Sequence, residues 1–381
     1  MIATTKSGRV LGIAFGCALL AWSAGASEVS AQLTDPRVGA GVRFETYSFS
    51  DAASINLERI QLLTVPVSAR AFIGSSLELG VSGAFARGTA RRGTGEESEL
   101  SGLVDTEVRL TAHLADDRFR LGAVALLPTG TSELDAAQLD VAGLVAADLL
   151  PFAISNWGTG GGIGVNAAAA IPLAEGTSAG ISAGYVLTRE YEPLAGTTFN
   201  YRPGNQLHVR AALDHVIANT AKVSVSVSYQ QFSEDEANGN NLYQAGDRLQ
   251  GVGSFAFAAG ARGSAIIYAG FLRRLEGKYR NELLPIMPTQ DMLYAGGSLR
   301  QPLGGVVLLP SAELRVVGND DGVDQGYTIT AGTGAELPLG GLLVIPAARA
   351  RFGRITVREN QESGYTGMEL GLTLRNRTVT R

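Results

Sequence analysis

The sequence contains one cysteine, Cys17, and it sits in the amino-terminal leader. Once that leader is removed the chain has no disulfide, no thiolate nucleophile and no cysteine metal site. Aromatic residues make up only 7%, sparse for the interfacial girdles of a membrane barrel. Charge is also low: 18% of residues are charged and the net charge is −5, which gives no reason to expect nucleic acid as a partner. No apolar run reaches the ~20 residues that a helix needs to cross a bilayer. If this chain enters a membrane, it enters as strands.

An export signal is present. Lys6 and Arg9 form a basic start, Val10 to Trp22 an apolar core, and small residues follow. Cleavage is expected after Ala26 or Ala31, so residues 1–31 read as signal peptide and 32–381 as one large closed sheet. A lipoprotein reading of Cys17 would need a longer apolar run before it.

Val104, Thr106, Val108, Leu110, Ala112 and Leu114 alternate with Asp105, Glu107, Arg109, Thr111 and His113, a period of two that makes one face greasy and the other wet. After a turn at 115–117, Phe119, Leu121, Ala123, Ala125 and Leu127 repeat it. The pattern predicts strands near 38–49, 57–71, 76–88, 101–115, 118–128, 160–173, 178–190, 205–217, 222–234, 246–260, 263–276, 290–301, 306–318, 325–338, 342–356 and 364–378. The expected fold is all-β: a closed up-and-down antiparallel transmembrane β-barrel of about sixteen strands, with 14 or 18 as alternatives.

The connections alternate in length. Tight ones at 73–75, 115–117, 174–177, 218–220, 261–262, 302–304 and 339–340 are interleaved with long ones at 87–99, 129–159, 191–204, 233–246, 277–288, 318–324 and 359–363. Short turns on the periplasmic rim, long loops outside and periplasmic termini are what such a barrel requires. Residues 132–150 fit both a strand and a helical face. Because an added strand would make the total odd, a short helix in the third outer loop is expected there, capped by Thr131 or Ser132.

In the last strand Met368, Leu370, Leu372 and Leu374 point out while Glu369, Gly371 and Thr373 point in. It resembles the carboxy-terminal signal read by the barrel assembly machinery, without the usual terminal aromatic. A wider resemblance rests on Val65-Pro66-Val67-Ser68-Ala69-Arg70 followed by Leu77-Glu78-Leu79-Gly80-Val81, on Gly102-Leu103-Val104-Asp105-Thr106, on Leu127-Pro128-Thr129-Gly130 and on Gly158-Thr159-Gly160. Over roughly the first half of the barrel the chain resembles the meta-pathway phenol-degradation outer-membrane family, related to the long-chain fatty-acid transporter barrels. The resemblance implies passage of small hydrophobic or aromatic compounds. Unlike the fatty-acid transporters, the chain has too few residues before its first strand for an amino-terminal plug. Any narrowing must therefore come from an outer loop, and 129–159 is the obvious one.

Candidate lumen-lining residues are Glu78, Glu107, Arg109, Glu313, Arg315, Arg349, Arg351 and Glu369. Their mixed signs suit a polar pore wall of paired charges better than a filter that tunes permeation. Leu134, Val141, Leu144, Phe152 and Trp157, with Leu149, Leu150 and Ile154, form an apolar cluster in a loop that should be polar. Either the loop packs on itself as a lid, or these side chains line a groove by which an apolar solute enters.

Chemistry is not encoded. His113, His208 and His215 are the only histidines, and no serine partner is forced by their spacing, so the chain does not read as an enzyme and no cofactor is implied. Residues 319–324 look like a calcium loop but lack the downstream bidentate Glu. Glu234-Asp235-Glu236 reads as a solvated loop tip, and glycine-rich 158–164 as strand backbone where neighbours need room. The partners expected are outer-membrane lipid, the assembly machinery and a small solute. The sequence thus points to an outer-membrane channel for passive diffusion of small hydrophobic or aromatic molecules, with a general porin for small polar solutes or a non-transporting structural or surface-binding barrel as alternatives.

Overall fold

The computed structural model describes residues 33–147, 150–218, 220–280, 287–319, 325–358 and 361–376. The expected signal peptide at 1–31, Leu149 and most of the calcium-like stretch lie outside them. In chain order the first half comprises β1 (Leu33–Phe49), β2 (Arg59–Ile73), β3 (Leu77–Arg91), β4 (Glu97–Leu103), β5 (Thr106–Leu114), β6 (Phe119–Leu127), β7 (Gly162–Ala174), β8 (Thr177–Thr188), β9 (Tyr201–Arg202), β10 (Gln206–Ile217) and β11 (Ala221–Phe232). The second half comprises β12 (Glu234–Ala237), β13 (Asn240–Gln244), β14 (Arg248–Ala259), β15 (Gly263–Arg274), β16 (Lys278–Tyr279), β17 (Gln290–Leu303), β18 (Val306–Leu308), β19 (Ser311–Asn319), β20 (Gln325–Leu339), β21 (Leu342–Arg358) and β22 (Gln361–Asn376). Among the described residues there are two helices, α1 (Ala52–Ile55) and α2 (Ala136–Ala146).

Every barrel neighbour is antiparallel, and β1 pairs with β22 from Gly39 opposite Arg375 to Phe49 opposite Tyr365, which closes the ring. β4 and β5 both pair with β3, and β18 and β19 both pair with β17 and β20, so each of these two pairs is one interrupted strand. The barrel therefore has sixteen strands, as the alternation predicted. Closure leaves no backbone edge to satisfy, which is what lets a sheet span lipid. Its outer face is apolar and exposed, as at Val42, Val67, Val81, Ile163, Leu293, Ile329 and Leu370. Tyr185, Tyr229 and Tyr327 stand on that face near the long-loop ends of their strands, and Phe119 near a short turn.

The structure departs from the sequence reading in several places. The first strand begins at Leu33 rather than 38, with Asp35 at φ 46° beside an irregular register. The connection expected at 87–99 shrinks to 92–96 because β3 and β4 continue as a hairpin beyond the loop base. The strand expected at 101–115 breaks at Val104–Asp105: Leu103 faces Phe85 and Glu107 faces Ser82, so one extra residue bulges out. This moves Val104 from the predicted outer face onto the packed interior. Pro310 interrupts the strand at 306–318, since it has no N–H for the ladder.

The helix in the third long connection is shorter than 132–150, and Asp135 caps it in place of Thr131 or Ser132. The Asp135 carboxylate accepts the Gln138 amide at 2.9 Å while the Gln138 side chain accepts the Asp135 amide at 3.0 Å, a reciprocal capping box. Gly160 and Gly161 are left-handed (φ 76° and 81°), so that part of the glycine-rich stretch is a turn and β7 starts only at Gly162. Residues 234–236 are not a loop tip: they form β12 in a second, four-stranded sheet, ordered β16-β13-β12-β9, built from three long connections.

Candidate functional site

The inner face of β1 carries Arg43, Glu45, Tyr47 and Phe49, alternating with exposed Val42 and its outward neighbours. Register places Glu45 directly opposite Glu369 on β22, and Glu369 opposite Arg349 on β21. Two carboxylates facing across strands repel, and arginines offset this. Arg43 reaches Glu45 at 2.8 Å and Glu369 at 3.1 Å. Arg351 reaches Glu45 at 3.2 Å and also binds Glu369, whose other oxygen is held by Arg349. Glu45 is fully buried, and Glu369 and Arg351 nearly so. Charges buried this deeply persist only when hydrogen bonds fill their remaining positions. Arg351 meets that condition in part by donating to the Tyr47 hydroxyl at 2.6 Å.

This charged cluster grips the long connection between β6 and β7. The second Glu45 oxygen accepts the Ala153 amide at 2.8 Å, and the Tyr47 hydroxyl donates to the Pro151 carbonyl at 3.1 Å. Further along, the Trp157 indole donates to the Ala86 carbonyl at 3.1 Å. Asp105, at the bulge, accepts the Gly130 amide at 3.0 Å and the Thr159 amide and hydroxyl at 2.7 and 2.8 Å, fastening both ends of the connection. Arg92 binds Asp140 on α2. The connection is folded into the barrel, where Val141, Val145, Leu150 and Trp157 pack on Ile60, Leu62, Ala86 and Leu100. Gly88 permits the approach: a Cβ there would stand 2.8 Å from Val141 and 3.1 Å from Trp157.

The predicted residues fall in separate places. Arg349, Arg351 and Glu369 belong to the central cluster. Glu313 and Arg315 pair at 3.2 Å on β19, with the Tyr268 hydroxyl donating to Glu313 at 2.7 Å. Glu107 and Arg109 pair at 2.9 Å on β5, and Glu78 lies near the short-turn end, 3.8 Å from Arg70 and 3.7 Å from His113. In the loop, Val141, Trp157 and Leu134 are buried, while Leu144 and Phe152 are half-buried against the same cluster. These first three are covered by the packing of the connection itself. Sequence reasoning missed Arg43, Glu45 and Tyr47, although their alternation with Val42, Phe44 and Thr46 carried the signal. Among the described residues no group of histidine and carboxylate side chains is arranged to hold a metal ion.

Solved structures share this architecture. OprB of Pseudomonas putida matches with a TM-score of 0.50 at 9% identity, over 93% of this chain and 96% of that one. The fold is that of an outer-membrane β-barrel. An anion-selective porin from Comamonas acidovorans (13% identity, TM-score 0.42, 90% and 99% of the two chains) and an outer-membrane channel from Pseudomonas putida F1 (11%, 0.36, 89% and 94%) also match. No family model and no curated protein sequence matches the chain.

On the long-loop rim the second sheet joins the connections after β8, β11 and β15. Tyr201 on β9 donates its hydroxyl to Asp235 on β12, and Arg202 binds Glu236. Arg280, just after β16, reaches Glu234 at 2.8 Å. Asp235 also accepts the Gly204 amide at 2.6 Å, yet its burial pushes the carboxyl above the usual carboxylate range. This rim is tied to the folded-in connection as well, because Leu134 donates to the Pro193 carbonyl at 3.0 Å and accepts the Ala195 amide at 3.0 Å.

Proposed function

We propose that this chain is an outer-membrane channel for passive diffusion of small solutes, narrowed by the connection between β6 and β7, with its short turns and both termini on the periplasmic side. The observation that carries it is the division of the sixteen-stranded wall into an exposed apolar outer face and an inner face of paired charges. Lipid is the partner of the outer face. The last strand, with Met368, Leu370 and Leu372 exposed, is the segment for the assembly machinery to read. Diffusion through such a wall needs no cofactor and no covalent chemistry.

Of the solute classes expected, polar solutes are favoured by the inner charges and by the burial of Leu134, Val141 and Trp157. Hydrophobic or aromatic solutes keep a route only along half-buried Leu144 and Phe152. Liposome swelling tests this. Entry of small polar solutes faster than into protein-free vesicles is expected. Swelling indistinguishable from empty vesicles leaves a surface-binding or bracing barrel instead.

A further inference from the structure

The chain as a whole carries a net charge of −5, yet the wall of its lumen is positive. Strand alternation fixes which side each residue faces, since residues one position from an exposed apolar neighbour on the same strand point inward. At the short-turn end a cavity of about 1110 Å³ is lined by Arg37, Arg70, Arg109, Arg300 and Arg375 against Glu78, Glu107 and Glu336. Midway, Arg43, Arg315, Arg349 and Arg351 face Glu45, Glu313 and Glu369. On the far wall Arg210, Lys222, Arg248 and Arg274 alternate with exposed Val209, Val225, Tyr229 and Phe271, and Asp214 is the acid among them.

Along the lumen basic groups outnumber acidic ones, thirteen to nine once Asp35, the partner of Arg37, and Asp105, which lines the wall beside Glu107, are counted. Register also sets Arg37 opposite Arg70 and Arg248 opposite Arg274. Asp35, 2.7 Å from Arg37, and Glu78, 3.8 Å from Arg70, offset the repulsion of the first pair, so it is the surplus along the whole wall that an anion in the passage would meet. The folded-in connection adds Glu133, Asp135 and Asp140, the last held by Arg92, and basic groups still predominate. Other acids of the chain lie on connections, as at Asp116, Glu190 and Glu192, or on outward positions of strands, as at Asp291.

We propose that the lumen prefers small anions, organic carboxylates among them, over cations of the same size. This rests on the channel reading above. In a low-dielectric wall a surplus of one sign concentrates counter-ions along the path.

The test is the reversal potential of the full chain in a planar bilayer under a potassium chloride gradient. Chloride should be favoured over potassium several-fold at about 0.1 M, and less so near 1 M as the screening length falls from roughly 10 to 3 Å. The double substitution Arg210→Glu and Lys222→Glu, on the wall away from the folded-in connection, should move the ratio toward potassium; Arg210→Gln with Lys222→Gln serves if the reversal does not assemble. Conductance that favours potassium, or a ratio that neither pair of substitutions moves, overturns the anion preference and leaves the channel standing. No conductance at all overturns the channel reading itself.

Discussion

The Glu45 carboxylate accepts the Ala153 amide at 2.8 Å, across 108 positions of sequence, and so joins the barrel wall to the connection folded inside it. The same carboxylate pairs with Arg43 and Arg351. One buried acid thus both balances the wall and holds the folded-in connection in place.

Glu45→Ala removes both functions at once. Breaking a buried pair by deleting one partner costs about 3–5 kcal/mol, because the remaining charge stays desolvated. The variant should convert from the folded to the unfolded band on SDS gels at a lower temperature than wild type. An unchanged transition would show that Arg351 is adequately paired by Glu369 alone.

Trp157→Ala should act on the connection more than on the barrel. Emptying a buried aromatic site costs about 3–5 kcal/mol, and the Ala86 carbonyl also loses its donor. Limited chymotrypsin digestion should cut near Phe152 in the variant and spare wild type, with the heat-modifiable band retained in both.

Gly88→Val tests the fit directly. With a Cβ only 2.8 Å from Val141, the added methyl groups would meet the helix and displace it. Single-channel conductance should rise if the displaced helix had narrowed the passage. Identical conductance would mean that the narrowest point lies elsewhere.

Acidification should tighten the rim sheet. Burial raises the Asp235 carboxyl above its unfolded value, so this group takes up a proton on folding. Its contribution therefore increases as pH falls through the raised value and levels off below the unfolded value of about 3.9. Amide exchange in β9 and β12 should be slower at mildly acidic pH than at neutral pH, once corrected for intrinsic rate. Asp235→Asn should flatten that dependence.

Much of the barrel was legible because lipid on one side and water on the other impose a period of two that local residues must obey. The capping box at Asp135 and Gln138 was equally local, but a competing pair, Thr131 and Ser132, stood nearer the expected helix start. What was hidden depends on distant register. The facing of Glu45 and Glu369 follows only from closure of the first strand on the last. The bulge that turns Val104 inward follows only from counting β4 and β5 against β3. Asp235 looked solvated because its neighbours are acidic. It is buried because Tyr201 and Gly204, from another connection, close over it.

The three connections that share the rim sheet are stitched strand to strand, and the first is hooked through Leu134 to the segment inside the barrel. Each of them shares backbone pairs with at least one other. Displacing one connection would therefore break backbone pairings made by the next, so the rim comes apart as a unit or not at all.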